Sequence, residues 1–167
     1  MNEKAAVLID NYYLKKEVLG NLQGRFRLDY KKFSELLCGK ENSDHYRTYV
    51  YDCEFKSNEN LLKSVERLPN FEVSYGNKQK QGQHYVQKQV DIMLAVDMIK
   101  LAQKGIQKII LVSGDSDFIP AIKYVKDNNL TSVILWTARK DYKGDLATAC
   151  DVSNPLTDEV LIAYAKP

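Results

Sequence analysis

The chain has 167 residues, of which 44% are hydrophobic and 28% are charged, the composition of an ordinary globular protein. Its 24 basic and 22 acidic side chains give a net charge of +2, which excludes a histone-like polycation but leaves room for local basic patches. No apolar run approaches the ~20 residues of a membrane span, and the N-terminus has no signal-peptide pattern. We therefore expect a cytoplasmic protein with no membrane partner.

The first half of the chain contains three predicted strands and two helices. Unbroken apolar residues predict a buried strand over 5–9, and a helical or loop segment follows it. Helical spacing predicts a helix over 30–37, and β-branched and aromatic residues predict a second strand over 46–51. A helix over 58–68, with a capping asparagine at its start and a proline after its end, leads to a third, shorter strand over 71–75.

The second half begins with a polar Gln/Lys segment, residues 76–89, that has no hydrophobic period. A long amphipathic helix is predicted over 90–104, and a glycine closes it. Strands over 108–112 and 132–136 enclose a helix over 118–126.

A charged loop over 137–145 and a helix over 156–165 complete the chain. The alternation of strands and helices predicts a single domain over 1–167, folded as a three-layer α/β/α sandwich with a mainly parallel sheet of about five strands. We expect the first and fourth strands to be adjacent. Ligands of such sheets bind outside the carboxyl ends of the strands.

Three cysteines form no CxxC pair: Cys38, Cys53 and Cys150. Their odd number and wide spacing indicate free thiols in a reducing compartment. With only two histidines in the chain, a structural zinc site is not expected.

Aspartates stand at the carboxyl ends of two predicted strands and at the start of the long helix. Asp10 ends the first strand, Asp115 and Asp117 follow the fourth, and Asp91 opens the helix. Carboxylates that converge in one cleft repel one another unless a cation lies among them, and oxygen ligands suit Mg²⁺. Asp97 lies six positions after Asp91, roughly 120° round the helix, so it is expected to support the site rather than to bind the same ion.

Each aspartate also has an ordinary structural interpretation. Asp91 favours the helix dipole, Asp115 caps the helix that follows, and Asp10 stands in a turn. For any one of them this interpretation is at least as good as the functional one. Their joint occurrence at strand ends favours a site.

Several segments together resemble a known family. Asp10 follows an apolar strand, KQVD at 88–91 leads into LAVD at 94–97, and SGDSDFIP occupies 113–120. In this order and spacing they resemble the NYN domain, the LabA-like branch of the PIN-like nuclease superfamily. Residues 146–151 also resemble the family's closing segment, in which an aspartate precedes the last strand.

The resemblance implies a PIN-like, Rossmann-like topology and a ribonuclease that uses Mg²⁺ or Mn²⁺ and leaves a 5′-phosphate. It implies metal ligation by Asp10, Asp91 and Asp115, with Asp117 completing the catalytic set as a ligand or water-positioning group. Supporting residues, including two that hydrogen-bond phosphate or water, are expected to be Asn11, Asp97, Ser113 and Ser116. RNA, single-stranded or structured, is the expected partner, and a homodimer is left open.

Two positions depart from the family pattern. The family usually carries D-x-x-N after the first strand, but this chain has Tyr13 at the fourth position, with Asn11 beside Asp10. The usual glycine of K-G-x-D is Gln89, which has less backbone freedom. Neither change removes a carboxylate. A non-catalytic nucleic-acid-binding module with the same fold is therefore the alternative function.

Basic residues on two segments near the cleft are interleaved with tyrosines, a mixture suited to a phosphate backbone and unstacked bases. The candidates for RNA binding are Lys78, Lys80, His84, Lys88, Arg139, Lys140 and Lys143. A solvated loop is the competing interpretation for each segment. Receiver-like and phosphatase-like proteins also place aspartates at strand ends, but the DNYYL at 10–14 lacks the D-x-D-x-[TV] motif of one such phosphatase class.

Overall fold

A computed structural model describes residues 2–22, 27–53, 58–163 and 165–166. Within these ranges, side chains are described except at 21–22, 78–79, 81, 84–88, 162–163 and 165–166. The strands of the described ranges are β1 Lys4–Asp10, β2 Arg27–Leu28, β3 Asp44–Cys53, β4 Phe71–Gln81, β5 His84–Lys88, β6 Lys108–Val112, β7 Ser132–Ala138, β8 Val152–Leu156 and β9 Ala165–Lys166.

The helices are α1 Asn11–Tyr13, α2 Tyr30–Lys40, α3 Glu59–Glu66, α4 Val90–Gln103, α5 Ile119–Asn129, α6 Asp145–Ala149 and α7 Asp158–Ala163. Local signals explain several boundaries. The Asp29 carboxylate accepts a hydrogen bond from the Lys32 N–H and caps α2, and a proline lies in the first turn of α5. After α1 the chain continues through a π-helical segment, Leu14–Val18.

The main sheet has seven strands in the order β5-β4-β3-β1-β6-β7-β8. All neighbouring pairs are parallel except β4 and β5, which form an antiparallel hairpin at one edge. From β1 the chain first builds the sheet on one side through β3 and β4. Helix α4 then returns it to β6 on the other side of β1. The carboxyl ends of β1 and β6 therefore form the switch point at which ligands bind in open parallel sheets.

Alternate residues of β1 point into two separate cores. Val7 and Ile9 pack in the layer that contains α2, α3 and α7. Ala6 and Leu8 pack in the layer that contains α4, α5 and α6. All four side chains are fully buried, as expected for a central parallel strand covered on both faces. The structure therefore confirms the three-layer α/β/α fold, with β1 and β6 adjacent.

The sheet has more strands than the sequence indicated. The polar segment 76–89 forms the outer half of β4 and all of β5, with Gly82 at a φ of +63° in the tight turn between them. Strand β8 adds a sixth parallel strand and includes Pro155, which an edge strand tolerates because one side of it needs no ladder hydrogen bonds. The closing helix is shorter than predicted, since α7 begins only at Asp158.

The three cysteines are free, as expected, and all three are buried. Among the described residues, every helix is too short or too polar to cross a membrane.

Candidate metal and nucleic-acid site

Asp10 is the last residue of β1, and its side chain is held at the switch point by two hydrogen bonds. Its Oδ2 accepts a bond from the Ser113 hydroxyl at 2.9 Å, and its Oδ1 accepts one from the Tyr13 N–H at 3.3 Å. Asp10 therefore caps the turn after β1, so the structural role considered for it from the sequence is present. Each carboxylate oxygen keeps a second lone pair for another partner.

Asp10 is only 7% exposed, and burial raises the pKa of its carboxyl group to about 6. The bonds from Ser113 and Tyr13 act in the opposite direction. The carboxylates of Asp91 and Asp115 raise the pKa further, which places Asp10 within electrostatic reach of both.

The segment after β6 is organised by its own side chains. The Ser113 hydroxyl accepts a bond from the Asp115 N–H at 3.2 Å, and Asp115 Oδ1 accepts one from the Asp117 N–H at 2.9 Å. Asp115 thus caps the short helical turn Ser116–Phe118. Ser113 connects the two strand ends, because it also donates to Asp10.

Three carboxylates converge beside this turn. One oxygen each of Asp91, Asp115 and Asp117 lies within 4.8 Å of the other two, and we call these residues the acidic trio. Burial raises the pKa of Asp91, and the carboxylates of Asp115 and Asp117 raise it further. Asp10 is not one of these three, but its pKa responds to Asp91 and Asp115, and we call the trio together with Asp10 the acidic site.

The donor set of the acidic site fits a hard divalent cation. Carboxylate oxygens are the ligands that Mg²⁺ prefers, and two such oxygens on opposite sides of the ion stand about 4.2 Å apart. The limit of 4.8 Å on the separations within the trio is compatible with this span. Two of the three residues, Asp91 and Asp117, are exposed.

Comparison with protein families shows to which family the chain belongs. The model of the NYN domain matches residues 4–156, most of the sequence. The chain belongs to the NYN domain family. This is a family of PIN-like nuclease fold, and the match extends from the start of β1 to the end of β8.

A crystal structure with the same fold comes from Vibrio parahaemolyticus RIMD 2210633 and is described as a protein of unknown function, VPA0982. It superimposes with a TM-score of 0.73 at 18% identity, over 99% of this chain and 97% of that one. None of the curated proteins compared matches this chain.

The position of the NYN family's glycine is occupied by Gln89, and the backbone there is left-handed. Its φ is +73°, directly before α4 and two residues before Asp91. Left-handed backbone is unfavourable for residues that carry a Cβ, so a glycine suits this position and Gln89 strains it. The Gln89 side chain accepts a hydrogen bond from Asn77 at 3.1 Å, which links the start of α4 to β4.

The position of the family's asparagine is occupied by Tyr13, whose ring crosses the end of β6. Its hydroxyl contacts Asp141 at 2.6 Å and Thr137 at 2.9 Å, and it accepts a bond from the Ala138 N–H at 3.0 Å. Tyr13 therefore connects the end of β1 to the segment that follows β7.

The Asn11 side chain belongs to a buried network that was not predicted from the sequence. Its amide donates to Asp52 at 2.8 Å, and its carbonyl oxygen accepts from Tyr30 at 2.5 Å. Asp52 is fully buried at the end of β3 and pairs with Lys15 at 2.7 Å. The signal was present, because Asp52 follows a predicted strand just as Asp10 does.

Two other residues expected to support the site have different surroundings. Asp97 accepts a hydrogen bond from the buried Tyr51 at 2.7 Å, which anchors α4 to β3. Ser116 is exposed in the turn between two members of the trio. Ser113 is the supporting residue with contacts to both strand ends.

The basic candidates after β7 are exposed. Arg139, Lys140 and Lys143 lie in the turn 139–144, which we call the basic turn, and Lys143 stands over the ring of Tyr142 at 5.3 Å. Lys140 also pairs with Glu17 at 2.5 Å. Lys80 is exposed on β4. The side chains of three further candidates lie outside the described residues: Lys78, His84 and Lys88.

A cavity of about 760 Å³ lies at the carboxyl ends of β7 and β8, on the side of the sheet that carries α7. Lys140 and Glu17, which form an ion pair, are part of its wall. Its lining includes both signs of charge and no member of the acidic site.

Proposed function

We propose that this NYN domain is a ribonuclease that hydrolyses RNA phosphodiester bonds with Mg²⁺ or Mn²⁺. The observation that carries the proposal is the acidic trio, which unites residues from the start of α4 and the end of β6 at the switch point of the sheet. The three carboxylates converge, and the pKa is raised both at Asp91 within the trio and at the neighbouring Asp10. A cation relieves this accumulation of negative charge.

In this proposal Asp10, Asp91 and Asp115 hold the ion. Such an ion supplies positive charge for the phosphate and lowers the pKa of water at the site. Ser113 keeps the Asp10 carboxylate oriented and at the same time fixes the Asp115 backbone. Asp117 is exposed beside them and serves as a further ligand or orients water.

The basic residues hold the phosphate backbone in the same proposal. Arg139, Lys140 and Lys143 follow β7, and Lys80 lies on β4. By sequence, Lys78, His84 and Lys88 belong to the same β4–β5 hairpin as Lys80. Contacts of this kind act mainly through release of counterions, so they carry affinity rather than chemistry.

The test is cleavage of a single-stranded RNA with Mg²⁺, with Mn²⁺ and with a chelator. We expect metal-dependent cleavage by the wild type, loss of cleavage in Asp115→Asn, and RNA binding that is intact or tighter in this variant because one repulsive charge is gone. Asp127→Asn, at an exposed position on α5, is the matched control and should cut like the wild type.

Equal cleavage by Asp115→Asn would assign the activity elsewhere. RNA binding by the wild type without cleavage in either metal would favour the non-catalytic binding module. Replacing the lysines and Arg139 should weaken binding and flatten its salt dependence. If the affinity of those variants depended on salt as steeply as that of the wild type, the replaced residues would not contact the RNA backbone.

A further inference from the structure

We propose that Tyr13 is a positioning residue that fixes the basic turn beside the acidic site. The inference rests on the proposed function, in which the basic turn holds RNA. Tyr13 contacts both parts of the site. Its N–H binds Asp10, and its hydroxyl, at the other end of the ring, binds Asp141 within the basic turn.

All three hydrogen-bonding positions of the Tyr13 hydroxyl are occupied, and these bonds fix where the hydroxyl lies. A phenol has one hydrogen to donate and two lone pairs. The Tyr13 hydroxyl donates to the Asp141 carboxylate, so its one hydrogen is used there. The Ala138 N–H and the Thr137 hydroxyl then donate to the two lone pairs.

The ring is also confined by the backbone beneath it. A Cβ placed on Gly114 would stand 2.3–2.6 Å from the Cε2, Cζ and Oη atoms of Tyr13, a distance that no real contact shows. Only glycine at 114 lets the ring cross the end of β6. Gly114 lies between Ser113 and Asp115, so the ring rests on the segment that forms the acidic site.

Asp141 is one of the points at which the basic turn is attached, beside the Lys140–Glu17 ion pair and the bond from the Ser153 hydroxyl to the Tyr142 carbonyl. Its N–H donates to the Ala138 carbonyl at 2.9 Å, and its carbonyl accepts from the Gly144 N–H at 3.0 Å. Two consecutive turns therefore meet at this residue. Arg139 and Lys140 belong to the first and Lys143 to the second, so a bond that holds Asp141 orders both halves of the basic turn.

Asp141 offers a pair of variants that separates positioning from charge. Both Asp141→Asn and Asp141→Ala remove one negative charge beside the phosphate path. Only Asp141→Asn keeps an oxygen that accepts the Tyr13 hydroxyl. If charge alone matters, both variants bind RNA equally and more tightly than the wild type. If positioning matters, Asp141→Ala binds more weakly although it is less repulsive.

We expect Asp141→Asn to bind a single-stranded RNA at least as tightly as the wild type. We expect Asp141→Ala and Tyr13→Phe to bind about tenfold more weakly, the effect of ordering roughly one residue's backbone on binding. The double variant Tyr13→Phe/Asp141→Ala should be no weaker than either single variant, since both break one connection. Tyr124→Phe, at an exposed tyrosine on α5, is the control for loss of a hydroxyl.

Hydrogen exchange measures the connection directly and without RNA. The Ala138 amide loses its acceptor in Tyr13→Phe, so its exchange should accelerate together with amides 141 and 144, while α4 keeps its protection. Mn²⁺ affinity, measured by calorimetry, should remain within twofold of the wild type, because the acidic trio is intact.

The outcomes separate the two proposals. If the wild type binds no RNA, the proposed function fails and the RNA role of Tyr13 fails with it. If the wild type binds RNA but Tyr13→Phe and Asp141→Ala bind equally well, only the positioning role is overturned. Unchanged exchange at Ala138 in Tyr13→Phe would overturn it as well. If Asp141→Ala and Asp141→Asn bound RNA equally well, Asp141 would act on RNA binding only through its charge.

Discussion

Ser113 donates a hydrogen bond to Asp10 at 2.9 Å, although the two residues are 103 positions apart. The bond joins the carboxyl ends of β1 and β6, and the same hydroxyl accepts from the Asp115 N–H. One small side chain therefore sets the orientation of one carboxylate and the backbone from which another projects.

The buried Asp10 should make the metal-free protein sensitive to pH. Its folded pKa of about 6 lies above the ordinary 3.8, so the folded state binds this proton more tightly than the unfolded chain. The stabilisation is complete below the unfolded pKa and is lost as pH rises through about 6. The shift corresponds to at most about 3 kcal/mol.

Asp10→Asn should therefore have a higher free energy of unfolding than the wild type at pH 8 in a chelator, by up to about 3 kcal/mol. The difference should shrink towards zero near pH 4. Urea titrations at both pH values measure it. Parallel pH profiles for the two proteins would show that Asp10 is not the group responsible.

At Asp52, near the end of the neighbouring strand β3, replacement by asparagine should lower the free energy of unfolding instead of raising it. The Asp52 Oδ2 atom faces three donors, from Lys15, Asn11 and Asn58. Asn at 52 would turn an amide against these donors, or against the Cys53 N–H that binds Oδ1. Asp52→Asn should therefore lower the free energy of unfolding by about 2–3 kcal/mol, measured by urea titration at pH 7. A stabilising effect would mean that the network tolerates a neutral residue.

Gln89 should be replaceable by glycine with a gain in stability. The left-handed φ of +73° costs a Cβ-bearing residue about 1–2 kcal/mol, and the greater freedom of glycine in the unfolded chain offsets part of this. We expect a net gain of about 0.5 kcal/mol in thermal or urea unfolding.

The same substitution at the other end of α4 provides the comparison. Gln103→Gly lies in ordinary helical backbone on an exposed surface, so it should destabilise the protein by up to about 1 kcal/mol. Equal losses at 89 and 103 would indicate that the bond between Asn77 and Gln89 outweighs the strain.

Removing the Ser113 hydroxyl should weaken metal binding most at low pH. Its bond to Asp10 lowers the pKa of that carboxyl, so Ser113→Ala raises this pKa and leaves less carboxylate near pH 6. Calorimetry with Mn²⁺ at pH 6 and pH 8 should show a larger loss of affinity at pH 6. Ser64→Ala, on the exposed face of α3, should match the wild type at both values. Equal losses at the two pH values would exclude the proton-linked effect.

The sequence predicted those features that depend on buried apolar runs. The strand over 5–9 and the strand over 108–112 are apolar because both faces of each are covered, so their ends, and hence Asp10 and Asp115, were recognisable. The β4–β5 hairpin was missed because its polar residues carry no alternating pattern. Its two strands are paired by hydrogen bonds between backbone groups, and such bonds do not require particular side chains.

The contacts of individual side chains were harder to predict. Asn11 was expected to face phosphate or water, but its amide is held by Asp52 and Tyr30. Neighbours along a chain alternate in direction at the end of a strand, and sequence spacing alone does not reveal which side Asn11 faces. The reach of Tyr13 to Asp141, across 128 residues of chain, depends on tertiary geometry alone.

The central place of β1 in the sheet has a consequence for synthesis. Of the described strands β1 is made first, yet one of its two partners, β6, is made about a hundred residues later. At about 5–20 residues per second, the edge of β1 that pairs with β6 stays without its partner for roughly 5–20 seconds during synthesis. Ribosome-bound chains that end before residue 108 should be digested by protease within 5–9, and chains that extend well past β7 should resist. In an NYN domain arranged in this way, the acidic site is complete only after β6 and the segment up to Asp117 have been made.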